Sequence, residues 1–231
     1  MKAIQLVAFD LDGTLVDSVP DIAFAVHRTV EELGLPPLSD DEVRGWVGDG
    51  VTRLLKRVLT GEKLAEPDPR LLKRGMDAFK RAYSAHLCVD SRLYPGTLEL
   101  LQALKGRCRL ACVTNKSAVF TEPLLAALKL DSYLDLIVSG DTVPALKPDP
   151  RPLLYACGRF GLVPADCCMV GDSKNDISAA LAAGFRAVAL SYGYRQGEDL
   201  LALGAEAQFD SLPALLPWLE RTGLAGPTAS G

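Results

Sequence analysis

The chain has 231 residues, and 25 Lys and Arg against 29 Asp and Glu leave a formal net charge of -4. That length can bury a sizeable core, in one large domain or in a core that carries a smaller one. No basic block offers the counterion-releasing footprint of nucleic-acid binding, and no apolar stretch reaches the roughly 18 residues a spanning helix requires, so neither nucleic acid nor a membrane is an expected partner.

The opening segment "MKAIQLVAFD" has no cleavage-site pattern, and a cytoplasmic protein is expected. Cys88, Cys108, Cys112, Cys157, Cys167 and Cys168 lack zinc-ligand spacing, and several fall in or beside apolar runs. They read as small, reduced core residues, which suits a reducing compartment.

Taken in chain order, the first element is the apolar run "IQLVAFD", a strand. From Asp17 to about Arg92 the pattern is helical: "DIAFAVHRTVEELGL", "SDDEVRGWVGDGVTRLLKRVL" and "DPRLLKRGMDAFKRAYSAHL". Strand-to-helix connections usually take about 2 to 6 residues, so this stretch reads as an inserted all-helical subdomain. Helical and strand runs then alternate: "GTLELLQALKG", "RLACVTN", "SAVFTEPLLAALKL", "LDLIVSGD", "DPRPLLYACGRFG", "CCMVGD", "NDISAALAAGF" and "RAVALSYG". Nearly continuous apolar strands are covered on both faces, and with helices between them they predict an α/β, doubly wound, mostly parallel, Rossmann-like sheet. The expected organisation is a core of residues 1–16 and 93–221, a helical unit of residues 17–92, and a disordered tail of residues 222–231.

The strand runs end on polar residues: Asp10 and Asp12, then Thr114 and Asn115, then Ser139 and Asp141, then Asp172. In an open parallel sheet these ends share the edge where ligands bind. Residues two apart on a strand point the same way, so Asp10 and Asp12 can converge, and two close carboxylates need a proton or a cation between them. "GDSKND" adds Asp172 and Asp176, the latter also a candidate helix cap. An all-oxygen set suits a hard cation, most plausibly Mg²⁺. Lys147 in "LKPDP" supplies compensating positive charge, and metal beside ammonium suggests a phosphate. A carboxylate can attack phosphorus to give an acyl phosphate that water cleaves, with Thr hydroxyls and backbone N–H groups neutralising charge. Gly13 is expected to turn the chain under that phosphate and to offer its N–H. His27 and His86 sit away from strand ends and read as structural or exposed.

In order, "DLDGT" (Asp10 to Thr14), "VTN" (Thr114, Asn115), "LKP" (Lys147) and "GDSKND" (Asp172, Asp176) resemble the four motifs of the haloacid dehalogenase superfamily of phosphotransferases. The resemblance implies a Rossmann-like core, Asp10 as nucleophile and Asp12 as general acid and then base. It implies Thr114 and Lys147 as phosphate ligands, and Mg²⁺ on Asp10, Asp172 and the backbone carbonyl of Asp12, with Asp176 behind them or an occasional ligand. The helical insertion is similar in place to the mobile cap of one subgroup, and "FDLDGTLVDSVPDIAFAVHRTVEELGLPPLSDDEVRGWVGDGVTRLL" looks most like the phosphoglycolate phosphatase group, which hydrolyses 2-phosphoglycolate to glycolate and phosphate. The cap loop "GWVGDGVTR" then offers Gly48, Gly50 and Arg53, with Arg53 the expected partner of a substrate carboxylate or else a solvated helical side chain, and Lys116 a second cation. Trp46 either packs inside the cap or shapes that loop. The partner expected is a small phosphorylated metabolite; composition does not choose between monomer and homodimer. Competing readings are a sugar phosphatase, a pyrophosphatase, a phosphomutase and, from another class, a non-catalytic receiver-like protein phosphorylated on Asp.

Overall fold

The computed structural model describes residues 3–194 and 197–224. In chain order its strands are β1 (Leu6–Phe9), β2 (Val16–Asp17), β3 (Arg92–Leu93), β4 (Arg109–Val113), β5 (Leu136–Val138), β6 (Cys167–Gly171), β7 (Arg186–Leu190) and β8 (Ala207–Phe209). Its helices are α1 (Val19–Leu33), α2 (Asp40–Arg44), α3 (Val51–Thr60), α4 (Pro69–Ala85), α5 (Thr97–Leu104), α6 (Ala118–Ala127), α7 (Arg151–Arg159), α8 (Lys174–Ala183) and α9 (Leu215–Arg221).

Six strands make one parallel sheet in the order β5-β4-β1-β6-β7-β8. The α/β, doubly wound class is therefore the one the sequence predicts. Alternate residues of each strand enter different layers, as the strand period requires. Val7 and Phe9 of β1 join Leu110 and Cys112 of β4 and the apolar faces of α5, α6 and α9. Leu6 and Ala8 join Ala111, Val113 and Met169 and the apolar faces of α7 and α8. The chain winds from β1 outward through β4 to β5 and then returns to β6 on the other side of β1. β1 is thus the switch point, and the crevice beyond its C-terminal end is the place where such sheets take ligands.

The short β8 and the helix α9 were not among the predicted elements. β8 is a three-residue, half-buried edge strand whose "AQF" carries no apolar run. The predicted tail is corrected at its start: Leu224 is buried and bridges Ile4, so order extends through residues 222–224. Residues 225–231 of that predicted tail lie outside the described residues.

Between β2 and β3 the chain is helical. α1–α4 bury their own cluster, including Val26, Val30, Leu55 and Phe79, and Phe120 of α6 and Tyr194 complete it from the sheet side. The long pattern "SDDEVRGWVGDGVTRLLKRVL" is broken into α2 and α3 by residues 45–50, where Gly48 and Gly50 take positive φ values of 120° and 81°. α2 opens with a Ser39–Glu42 capping box, and Asp68 caps α4. Trp46 packs against this cluster, and its carbonyl accepts a bond from Arg57.

The two connections to the sheet run side by side, because β2 and β3 pair antiparallel with Val16 opposite Leu93. Asp21 of α1, fully buried, accepts from the backbone N–H groups of Asp90 and Ser91 (2.8 and 2.9 Å) and from the Ser91 hydroxyl (2.5 Å). His86 stacks on Phe24 with ring centres 3.7 Å apart, in keeping with a structural histidine. Replacing Asp21 with Ala removes three bonds at once and leaves donors buried at the junction. The expected loss is about 3 kcal/mol, read as a lowered denaturation midpoint with little change in the denaturant slope.

Candidate active site

Asp10 follows β1, Thr114 and Asn115 follow β4, and Asp172 follows β6, so three adjacent strands deliver them to one edge. Asp176 lies in the first turn of α8 and Lys147 in the loop after β5. The structure brings Asp10, Asp172 and Asp176 together: one carboxylate oxygen of each lies within 4.8 Å of the others. Lys147 Nζ reaches Asp176 Oδ1 at 2.6 Å, Asp10 Oδ1 at 2.9 Å and the Val113 carbonyl at 2.5 Å. Its approach to Asp10 is close enough for an ion pair but is not aligned as a hydrogen bond, and Asp10 Oδ1 has no hydrogen-bond partner.

Three buried carboxylates against one ammonium leave excess negative charge. Burial, opposed by Lys147 and reinforced by Asp176, pushes the Asp10 carboxyl up to about 7. Burial, with Asp176 and Asp10, raises Asp172 well above the usual carboxylate range. Burial works to lower the Lys147 ammonium, but Asp10 and Asp176 outweigh it and the net direction is up. An all-oxygen cluster of this kind, three carboxylates against one ammonium, fits a divalent hard cation.

Each acid is held differently. Asp172 Oδ1 accepts from the Thr14 hydroxyl (2.7 Å) and Oδ2 from the Tyr194 N–H (2.6 Å). Asp176 Oδ2 accepts from the N–H and hydroxyl of Ser173 while its Oδ1 takes Lys147, so this residue is helix cap and site member together. Glycine makes the room: a Cβ on Gly13 or Gly193 would lie 2.4 or 2.3 Å from Asp172 Oδ2, and one on Gly171 2.3 Å from Asp176 Cγ.

Several predicted site residues sit elsewhere than expected. The Asp12 side chain is not in the acidic cluster; Lys116 Nζ bonds both its oxygens (3.0 and 2.9 Å) and the Ser18 hydroxyl donates to Oδ1 at 2.5 Å. Of the predicted metal set, Asp12 thus retains only its backbone carbonyl as a candidate. Gly13 has the expected positive φ of 89°, but its N–H donates to the Val16 carbonyl (2.8 Å) and is not offered to a ligand. Asn115 is a strut: its amide donates to the carbonyls of Lys147 (2.9 Å) and Gly48 (3.0 Å), and its Oδ1 accepts the Lys147 N–H (2.8 Å). Asp141 caps α6 through the Ala118 N–H.

Arg53 is corrected outright. It lies 3.7 Å from Glu66 on the outer face of α3, while Val51 and Leu54 of that helix turn inward. The amphipathic helix buries Leu54, Leu55 and Val58 and leaves Arg53 half-buried beside Glu66, outside the cavity lining.

Asp10, Asp12, Thr114 and Lys116 line one side of a partly open cavity of about 50 Å³. The other side comes from the helical insertion: Ile22, the loop at Val47–Val51, Leu54, Phe79 and Tyr83. Thr114 is buried, its hydroxyl accepting the Lys116 N–H at 3.2 Å. Burial works to lower the Lys116 ammonium, yet Asp12 and Tyr83 beside it carry the net direction upward.

The insertion loop is tied down by residues that sequence reasoning did not single out. Asn175 of α8 donates to Asp49 Oδ1 at 2.7 Å, and buried Arg57 pairs with Asp49 Oδ2 and bonds the Trp46 carbonyl. Tyr194 bridges to the other connection, donating to Asp17 (2.6 Å) and accepting from the Ser18 N–H (2.8 Å). No spacing rule marks Asn175, because its partner Asp49 lies 126 residues away in the chain.

The haloacid dehalogenase-like hydrolase family model matches residues 4–184. The chain belongs to the haloacid dehalogenase-like hydrolase family. A phosphoglycolate phosphatase of Nitrosospira multiformis is 48% identical over 210 residues, 90% of this chain and 92% of that relative. The crystal structure of a predicted phosphoglycolate phosphatase from Haemophilus somnus 129PT is 36% identical, with a TM-score of 0.88 over 94% of this chain and 99% of that one. CbbY from Rhodobacter sphaeroides, crystallised in complex with phosphate, is 26% identical with a TM-score of 0.80 over 94% and 99% of the two chains.

The tie through Asp49 yields a prediction. Burial opposes ionisation of Asp49, but bonds from Asn175 and Arg57 outweigh it and hold the carboxyl below the usual range. Its stabilising contribution is present above the unfolded value, near about 3.9, and is lost as pH falls through the lowered folded value. Asp49→Ala strands the buried Arg57 and is expected to cost about 2 kcal/mol at neutral pH. Denaturation curves of both proteins at neutral and strongly acidic pH check this: the gap between them narrows in acid.

Proposed function

We propose that this hydrolase is a phosphatase that cleaves phosphate monoesters through an aspartyl-phosphate intermediate, with 2-phosphoglycolate as its substrate. The observation that carries the reading is Asp10. A buried carboxylate, its Oδ1 2.9 Å from the Lys147 ammonium, lines a partly open, ligand-sized cavity. The names of the relatives support the substrate. A receiver-like protein is disfavoured by family membership and by the helical insertion over the site.

In this reading Asp10 attacks phosphorus and the phosphoryl group passes to its carboxylate as the ester oxygen leaves. Asp12 gives the leaving oxygen its proton and afterwards takes one from the attacking water. Lys116 and Ser18 aim the Asp12 carboxylate, and Asn115 fixes the loop that carries Lys147. Thr114 and Lys147 hold the phosphoryl oxygens. Asp10, Asp172 and the Asp12 carbonyl would hold a Mg²⁺, with Asp176 bracing Lys147 behind them. When bound, the ion neutralises the carboxylates and the developing charge on the phosphoryl group. Residues 17–92 act as a cap over a core of residues 1–16 and 93–221. The paired linkers β2 and β3 are the natural hinge, since they join the two parts at one point.

Phosphate release from a panel tests this: 2-phosphoglycolate, glucose 6-phosphate, glucose 1-phosphate, pyrophosphate and an aryl phosphate. The expected kcat/KM for 2-phosphoglycolate exceeds the rest by about a hundredfold, roughly 2.7 kcal/mol. Equal, slow turnover of all would remove the substrate while leaving the chemistry. Chelation is expected to abolish turnover and added Mg²⁺ to restore it. Asp10→Asn, nearly isosteric but a poor nucleophile, should lower kcat by about a thousandfold or more with the fold intact. Substantial activity in that folded variant would mean that water attacks phosphorus directly.

A further inference from the structure

With Arg53 outside the cavity, Lys116 is left as the sequence-expected candidate for a substrate's non-phosphate end, and no residue of the helical insertion is assigned to it. Among the described lining residues, the helical insertion contributes Ile22, Val47, Gly48, Gly50, Val51, Leu54, Phe79 and Tyr83. Tyr83 is the one polar side chain in that set. It is 1% exposed, and its hydroxyl makes no well-aligned hydrogen bond, although the Lys116 ammonium stands close to it. A buried hydroxyl left without a partner is costly, and native structures rarely keep one without a use.

The neighbours define what the missing partner must be. Lys116 Nζ lies 5.0 Å from the Tyr83 ring centre, and an ammonium only donates. The tyrosine proton therefore still needs an acceptor. Lys116 itself spends bonds on the two Asp12 oxygens and retains a third proton. Two donors at one end of a small apolar chamber, one of them charged, call for an anionic acceptor. The Tyr83 ring cannot swing away to find another: Phe120 packs against it edge-on at 4.9 Å and Phe79 at 5.4 Å. Burial pushes the phenol up to about 12, so the proton stays on the oxygen at neutral pH.

We propose that Tyr83 is a specificity-determining residue, its hydroxyl and the remaining proton of Lys116 receiving the carboxylate of a carboxylated phosphate ester at the cap end of the cavity. The inference rests on the phosphatase reading and names the residue that selects its substrate. The phosphate end is held by charge, and the carboxylate end is read by a rigid, neutral donor beside one ammonium. A substrate lacking the carboxylate leaves that hydroxyl unpaired, as it is in the structure, and such unpaired donors make hydrogen-bonding sites selective.

The test compares 2-phosphoglycolate with ethyl phosphate, which keeps the two-carbon ester and lacks the carboxylate. The wild-type protein is expected to prefer 2-phosphoglycolate. Tyr83→Phe keeps the ring and removes one oxygen. It should lower kcat/KM for 2-phosphoglycolate at least tenfold, mainly through KM, and change ethyl phosphate less than twofold. The thermal midpoint should stay equal or rise, because no existing bond is lost. A preference retained in full by Tyr83→Phe overturns the assignment of Tyr83 alone. Equal losses on both esters with a lowered midpoint also overturn it, in favour of packing. A wild type that hydrolyses both esters alike overturns the carboxylated-substrate reading and this inference with it.

Discussion

Like-charge repulsion governs the architecture of this chain. Three carboxylates gather where β1 and β6 end, in a place too dry to solvate them. Everything around them limits that cost. Lys147 bridges Asp10 and Asp176, Thr14 and a backbone N–H hold Asp172, and Ser173 takes the far side of Asp176. The glycines at 13, 171 and 193 belong to the same arrangement, since any side chain there would strike an aspartate. A parallel sheet with its switch point at β1 is what brings such distant segments to one edge.

The second constraint is that the site needs a roof that arrives with the right face down. The insertion meets the sheet at one antiparallel step, β2 against β3, and again at the loop around Gly48 and Asp49. Asn115 links these two requirements in one side chain. It positions the backbone of Lys147 and also holds the Gly48 carbonyl, so the loop that completes the cavity is fastened to the loop that delivers the cation. Lys116, the next residue, reaches Asp12 under the same roof.

How much of this was legible follows from the range over which each feature is determined. The strands were legible because buried parallel strands must be apolar throughout, and the acids because a strand end is a fixed place in such a sheet. The partnering of each polar group was not. Gly13 and Asn115 were assigned to ligands from their positions, yet each spends its donors or acceptors within the protein. Arg53 was chosen for its charge, when helix phase decides which side it faces, and the phase of α3 puts Leu54 and Leu55 inside. Tyr83 is the reverse case. In "FKRAYSAHL" it reads as an ordinary apolar-face aromatic of α4, which it is, except that it also lines the cavity.

That contrast bears on how the two halves of the site divide their work. The sheet edge holds charge, and charge must be compensated by near neighbours, so its residues come in short motifs with strict spacing. The helical roof holds shape, and shape can be met by many apolar side chains, so it leaves little trace in the sequence. A single hydroxyl set in an apolar wall discriminates by the bond it lacks when the wrong ligand enters, and it needs no charged partner of its own. A charged side chain placed in the apolar roof would have to be desolvated there. A neutral donor avoids that cost while still demanding an acceptor, which makes Tyr83 a physically better selector in this cavity than the arginine that the sequence offered.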